Sequence, residues 1–265
     1  MPTPKRTYWN AEVYERIGTP MRGWSAQVID DLALKGDETV LDAGCGSGSV
    51  TLDLLERLPN GKIYAVDASV DMIEKLTATL GERGIESVVP MQGDLTDFEL
   101  PEQVDIVFSN AVFHWIPDDD GLFGCLARAT KPGGRLRAQC GGFGNIARLM
   151  DAAHEIERRD PYHEHFPEPT DSRTYRTPER VQESMGRNGW TNVRARLFDA
   201  PVTFDSADDA SLYLRTIILQ HQVSVLPEEL GEPFLRDVIA EIERRQDAPF
   251  VADYVRLDIW AEREG

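Results

Sequence analysis

Paired cysteines are missing from this chain: its 265 residues include three, Cys45, Cys125 and Cys140, far apart and in no C-x-x-C spacing. That argues against a disulfide framework or a thiolate metal site, and it fits a reduced compartment. Basic charge is scarce as well. Lys and Arg number 28 against 46 Asp and Glu, a formal net charge of -18. Such a field repels phosphate backbones and lacks the cationic surface that nucleic-acid binding needs, so a nucleic-acid partner is disfavoured. Long apolar runs are absent too. The start, MPTPKRTYWNAEVYE, has no signal-peptide core, and no stretch approaches the roughly 20 apolar residues that span a bilayer. The expectation is a soluble cytoplasmic protein with no membrane partner and no metal.

What the chain does have is enough apolar content, 41% of residues, for one large α/β domain with insertions. Apolar runs TVLDA, KIYAVDA, ESVVPMQGD, VDIVFSNAV and GRLRAQCGG alternate with helical patterns such as SVDMIEKLTATLGERG. This rhythm predicts a doubly wound, mostly parallel sheet of seven strands with helices on both faces. Residues 1–36 read as an N-terminal helical segment, and 37–205 with 248–265 as the core. Two helical stretches, Ser206 to Gln222 and Pro227 to Gln246, lie between the last two predicted strands, TNVRARLFDAPVTF and PFVADYVRLDIWAE. They predict a helical cap over residues 206–247, placed over the carboxyl ends of the strands, where open α/β sheets bind ligands. Between the fifth and sixth strands, HEIERRDPYHEHFPEPTDSR is dense in charge, proline and histidine and reads as a connecting loop or flap.

The chemistry concentrates in VLDAGCGSG, residues 40–48. Its glycines fall as G-x-G-x-G, one residue short of the G-x-G-x-x-G of dinucleotide folds, and Asp42 precedes them. A carboxylate beside the loop disfavours a pyrophosphate and suits a cation, while glycines let the backbone approach a ligand closely. A tight strand-to-helix turn with no ligand remains the alternative. The second strand ends at Asp67, about 20 residues on, where an acid can accept both hydroxyl hydrogens of a ribose.

In this order VLDAGCGSG, YAVDAS, QGDLTDF, FSNAVFHWI and TKPGG resemble the motifs of class I S-adenosylmethionine-dependent methyltransferases over roughly residues 39–141. The resemblance implies S-adenosylmethionine as cofactor. It assigns Asp42, Gly44, Cys45, Gly46 and Gly48 to the methionine end, Asp67 and Ala68 to the ribose, Met72 to the adenine face, Gly93, Asp94 and Leu95 to the adenine edge, and Asn110 and Ala111 to the position beside cofactor and substrate.

At the amino end WNAEVYERIG, together with FSNAVFHWIPD, is similar to the trans-aconitate methyltransferase-like group, which esterifies small carboxylic acids. That implies a small-molecule methyl acceptor and O-methylation of a carboxylic acid. A carboxylate is ionised near neutral pH and needs no base. A natural-product hydroxyl or carbon acid would need one, and His114, with an ordinary pKa near neutrality, is the base candidate. Under the acid reading His114 only positions the acceptor, and Tyr14 is the second candidate catalytic residue. Trp9 and Trp115 are candidate walls of the acceptor site, and Arg22, Arg215 and His221 are candidate cations for an anionic acceptor. The cluster Arg173, Arg176 and Arg180 either acts on the flap or balances nearby carboxylates. A protein that binds the cofactor without turnover is the reading from another class, since alignment-driven transfer obliges no particular side chain.

Overall fold

In a computed structural model of the protein, residues 19–167, 173–204, 206–246 and 249–265 are described, with side chains from residue 23 onward. Trp9 and Tyr14 therefore lie outside the described residues, and Arg22 is placed only as a position within the first helix. The elements in chain order are α1 (Thr19–Asp30), β1 (Thr39–Ala43), α2 (Ser49–Leu55), β2 (Lys62–Asp67), α3 (Val70–Arg83), β3 (Val88–Gln92), β4 (Val104–Asn110), α4 (Asp119–Ala129), β5 (Thr130–Gly141), α5 (Ala147–Glu157), α6 (Pro178–Arg187), β6 (Trp190–Asp199), β7 (Val202–Thr203), α7 (Ala207–Tyr213), α8 (Gln220–Val225), α9 (Glu228–Gln246), β8 (Val251–Ala252) and β9 (Val255–Arg263).

Seven strands form one sheet in the order β3-β2-β1-β4-β5-β9-β6. Strands β1 to β5 pair in parallel, and β9 runs antiparallel to β5. The central strands are apolar on both faces because both are covered. Leu41, Tyr64, Val66 and Val107 face one core, and Val40, Ile63, Ala65, Ile106 and Phe108 the other. Helix α3 begins where Ser69 Oγ accepts the Met72 amide and stops at Gly84, whose φ of 63° is left-handed. Its Leu76 and Leu80, four apart, enter the second core. Helix α4 is capped by Asp118, which accepts the Gly121 amide.

The chain divides into two compact units. Among the described residues the sheet unit holds 23–143, 173–198 and 255–265, and the other takes 19–22, 144–167, 199–204, 206–246 and 249–254. This second, helical unit is wider than the 206–247 segment the sequence suggests. Helix α5, expected within the core, packs with α9 instead, and the segment after it joins them: Arg159 reaches Glu241, the Tyr162 hydroxyl donates to Asp237, and Tyr162 and Phe166 meet the Phe234 ring. The two predicted edge strands are also shorter than their apolar runs. Their ends, β7 and β8, leave the sheet and pair with each other, with Val202 opposite Ala252. Pro201, which has no amide hydrogen to offer a ladder, stands where β6 and β7 separate.

Candidate active site

Four strand tips carry the predicted cofactor residues, all within the sheet unit. After β1 the chain turns through Gly44 (φ 86°), Gly46 (φ 54°) and Gly48 (φ 88°). The three glycines differ in what surrounds them. A Cβ on Gly44 would lie 2.3 to 2.8 Å from Val112, and one on Gly48 would lie 2.3 Å from Leu76, whereas one on Gly46 would meet nothing within 4 Å. Gly44 and Gly48 are therefore needed for packing, and Gly46 faces open space.

Asp67 ties the second tip to the first. Its Oδ2 accepts the Gly46 amide at 2.8 Å and its Oδ1 the Ser69 amide at 2.9 Å. Each carboxylate oxygen keeps a further lone pair for a ligand hydroxyl. Beside it Ala68 is exposed, Met72 is half-buried, and Val70 leaves 56% of its surface in solvent. Val70 is an apolar platform that the motif reading missed. At the third tip the Gly93 amide donates to the Asp67 carbonyl. Asp94 is exposed, and its Oδ1 accepts both the Thr96 amide and hydroxyl, which hold its carboxyl below the usual range. Leu95 is buried in the core, so only its backbone is available to a ligand. At the fourth tip Ala111 adopts a left-handed φ of 62°, and the Asn110 side-chain oxygen is buried with no hydrogen-bond partner. A buried acceptor left unpaired costs stability and marks a site that a donor can complete.

Two predicted residues sit differently from expectation. Asp42 is 2% exposed, with Thr51 Oγ1 donating to its Oδ2 at 2.7 Å. It is buried beside α2 and does not face solvent. Burial pushes its pKa up to about 7, against the Thr51 hydrogen bond, with the Asp67 charge adding to the rise. Cys45 is buried as well, and burial raises its thiol, so this residue offers its backbone.

The surroundings of His114 are assembled from four separate segments. The turn after β4, Phe113–Trp115, carries His114, which is 8% exposed. The Gly141 amide at the end of β5 donates to His114 Nδ1 at 3.3 Å. Residues 173–176 run between these loops, with the Thr174 amide donating to the His114 carbonyl and the Phe143 amide donating to the Arg176 carbonyl. The Tyr175 ring stacks on His114 at 5.9 Å between centroids, and the Arg173 guanidinium lies 5.6 Å from the ring centre of Trp115, which is 55% exposed. Arg256 at the start of β9 is buried, donates to Gln139, and lies 4.7 Å from the Trp24 ring centre.

Burial, then the charges of Arg256, Arg173 and Arg176, drive the His114 pKa down to about 3. The near-neutral pKa that recommended it as a base is not kept in this environment. Arg176 binds Asp119 and the carbonyls of Phe113 and Ile116, and Arg180 binds Asp119, so these two arginines are structural ties. Arg215 and His221 belong to the helical unit, where Arg215 is paired with Glu232 and His221 is exposed. Within the sheet unit the cations acting on His114 are Arg173, Arg176 and Arg256. Arg256 could have been found in the alternation of VRLDIWAER, in which Leu257, Ile259 and Ala261 enter the core and Arg256, Asp258 and Trp260 occupy the other face.

Among the described residues no helix is long and apolar enough to cross a membrane, and no group of three or more His, Cys, Asp or Glu side chains is gathered to hold a metal. Residues 40–134 match the family described as the methyltransferase domain. This span is similar to a methyltransferase domain. It contains the glycine loop, Asp67, Asp94, Asn110 and His114, and it ends before Arg173 and Arg256. The chain is similar to an uncharacterized methyltransferase of Schizosaccharomyces pombe, 32% identical over 154 residues, 56% of this chain and 57% of that protein. It is likewise similar to the trans-aconitate 2-methyltransferase of Azoarcus sp., 32% identical over 131 residues, 49% of this chain and 50% of that protein. It thus spans only about half the length of these relatives. Among solved structures, the fold matches the geranyl diphosphate C-methyltransferase of Streptomyces coelicolor A3(2) in complex with Mg2+, geranyl diphosphate and S-adenosyl-L-homocysteine. The TM-score is 0.60 at 18% identity, covering 98% of this chain and 86% of that one.

Proposed function

We propose that this protein transfers a methyl group from S-adenosylmethionine to a carboxylate of a small molecule. The observation that carries the reading is the joint made by Asp67: one carboxylate fixes the glycine loop and the start of α3, beside an open Gly46 and an unpaired Asn110 oxygen. These residues fit an adenosyl amino acid. Asp67 would accept from the ribose hydroxyls, Val70 and Met72 would flank the adenine, Asn110 Oδ1 would accept from a donor such as the ammonium, and Asp42 would favour that cation from below.

The bound cofactor supplies an electrophilic methyl carbon on a sulfonium. An acceptor carboxylate oxygen forms the new bond to that carbon as the carbon–sulfur bond breaks and its electron pair stays on sulfur. No proton moves, so no base is required. The chain's contribution is alignment and exclusion of water. Arg173 and Arg256 favour an anionic acceptor within a strongly acidic protein, and a His114 held neutral suits an acceptor that arrives ionised. The similarity to a trans-aconitate methyltransferase supports the same class of acceptor.

Calorimetric titration with S-adenosylhomocysteine should give a one-site isotherm, and a labelled methyl donor offered with a panel of acids, phenols and enolisable carbonyls should label acids. Absence of binding heat would overturn the cofactor assignment. Labelling of phenols alone would overturn the acceptor class.

A further inference from the structure

His114 is the one imidazole of the sheet unit, and its environment fixes more than its charge. The Gly141 amide is a donor, so the ring atom facing it at 3.3 Å must be an unprotonated nitrogen. Turning the ring over would set a carbon against that amide and leave the amide unsatisfied, at a cost of about 1–3 kcal/mol. Nδ1 is therefore the acceptor, and the single proton of the neutral ring sits on Nε2. The ring is wedged between its neighbours: Trp115 at 5.2 Å and Tyr175 at 5.9 Å between centroids. Its carbonyl is held by the Thr174 amide and its ring by the Gly141 amide.

Among the described residues, charged and titratable groups reach the ring from several elements: Arg256 from β9, Arg173, Tyr175 and Arg176 from the segment before α6, and Cys140 from β5. Three of these are guanidiniums, and the other two are a phenol and a thiol. A cationic imidazole is penalised there, and an anion is welcome.

Resting on the methyl-transfer reading, we infer that His114 recognises the acceptor as a neutral, fixed-tautomer donor: its Nε2–H holds one oxygen of the acceptor carboxylate, leaving the other oxygen to attack. The required substrate class is a free, ionised carboxylic acid, and its esters and amides are excluded because they bring no anion to the arginine-lined ring. His114 thus selects the acceptor and moves no proton.

The test is nitrogen-15 imidazole spectroscopy of the full chain saturated with S-adenosylhomocysteine. Between about pH 5 and 8 the His114 signals should show a protonated Nε2 and an unprotonated Nδ1, with no titration. Adding trans-aconitate as the carboxylate probe should shift the Nε2–H proton downfield, and its trimethyl ester should leave it in place. His114→Gln, which keeps one acceptor and one donor, should hold kcat/KM for labelled acids within about fivefold of the parent. His114→Phe, which keeps the ring but no donor, should raise KM at least tenfold with the S-adenosylhomocysteine affinity unchanged. Titration near neutrality, a protonated Nδ1, no response to the acid, or equal KM in the two variants would overturn the inference while leaving the cofactor reading standing. Loss of S-adenosylhomocysteine binding by the parent chain would overturn the cofactor reading itself.

Discussion

The two halves of the sheet's carboxyl edge are built on opposite plans. The half formed by β1, β2, β3 and β4 offers glycines and acids, with Asp42, Asp67 and Asp94 at three successive tips. The half formed by β5, β9 and residues 173–176 offers arginines around a neutral histidine. The acidic half comes from short-range sequence, since Gly46 and Asp67 are 21 residues apart. The arginine half is joined over long range, Arg256 meeting Gln139 across 117 residues. A cofactor pocket of the first kind can be carried by a motif; an acceptor pocket of the second kind can change with each chain that folds around it.

That contrast is sharpest where the backbone itself is at stake. Gly44→Ala places a methyl group into Val112 at a left-handed φ, and should cost about 3–5 kcal/mol in urea unfolding. Gly46→Ala, into open space, should cost about 1–2 kcal/mol and yet abolish most cofactor binding. Equal losses of stability would erase the distinction between a packing glycine and a ligand-facing one.

The buried acid gives the next largest effect. The Asp42 pKa is raised from 3.8 to about 7 in the folded chain, so the fold holds a proton there that the unfolded chain releases. The resulting stability is full below about pH 4 and is lost as pH rises through 7, on the order of 4 kcal/mol across that window. Asp42→Asn should flatten this part of the stability-pH curve and leave the variant more stable than the parent at pH 8. A curve of unchanged slope would show that the proton sits elsewhere.

Asp67→Ala should weaken S-adenosylhomocysteine binding about 30- to 100-fold by calorimetry, through two ribose contacts and the released Gly46 amide. Arg256→Met gives the smallest effect and belongs to the other half. It should raise KM for the acid about tenfold, leave S-adenosylhomocysteine affinity within twofold, and let the His114 pKa rise toward its usual value as one repelling cation disappears. If it weakened both ligands equally, the two halves would not be separable.

The same division explains what was legible in the sequence. Strands β1 to β5, the glycine turn and the Asp67 tip were readable because each is specified locally, by apolar runs, caps and a spacing of glycines. The depth of Asp42 was not, because Thr51 reaches it only once α2 has formed. His114 could be named but not given its protonation state, which depends on Arg173, Arg176 and Arg256 arriving from elsewhere in the chain. That Arg215 has Glu232 for a partner was not legible either, because the two lie on separate helices of the helical unit. The division near residue 144 was missed because the match of α5 and the segment after it with α9 is a tertiary one, written in Arg159, Tyr162, Asp237 and Glu241.

Residues 173–176 are gripped by their backbone: main-chain bonds from Thr174 to His114 and from Phe143 to Arg176 hold the segment in place. Amide contacts of that sort do not depend on which side chains the segment displays. Positions 173 and 175 can therefore drift through mutation without unseating the strand tips proposed to grip the methyl donor. Over evolutionary time this seam gives the scaffold a place to acquire new acceptors while the donor stays the same.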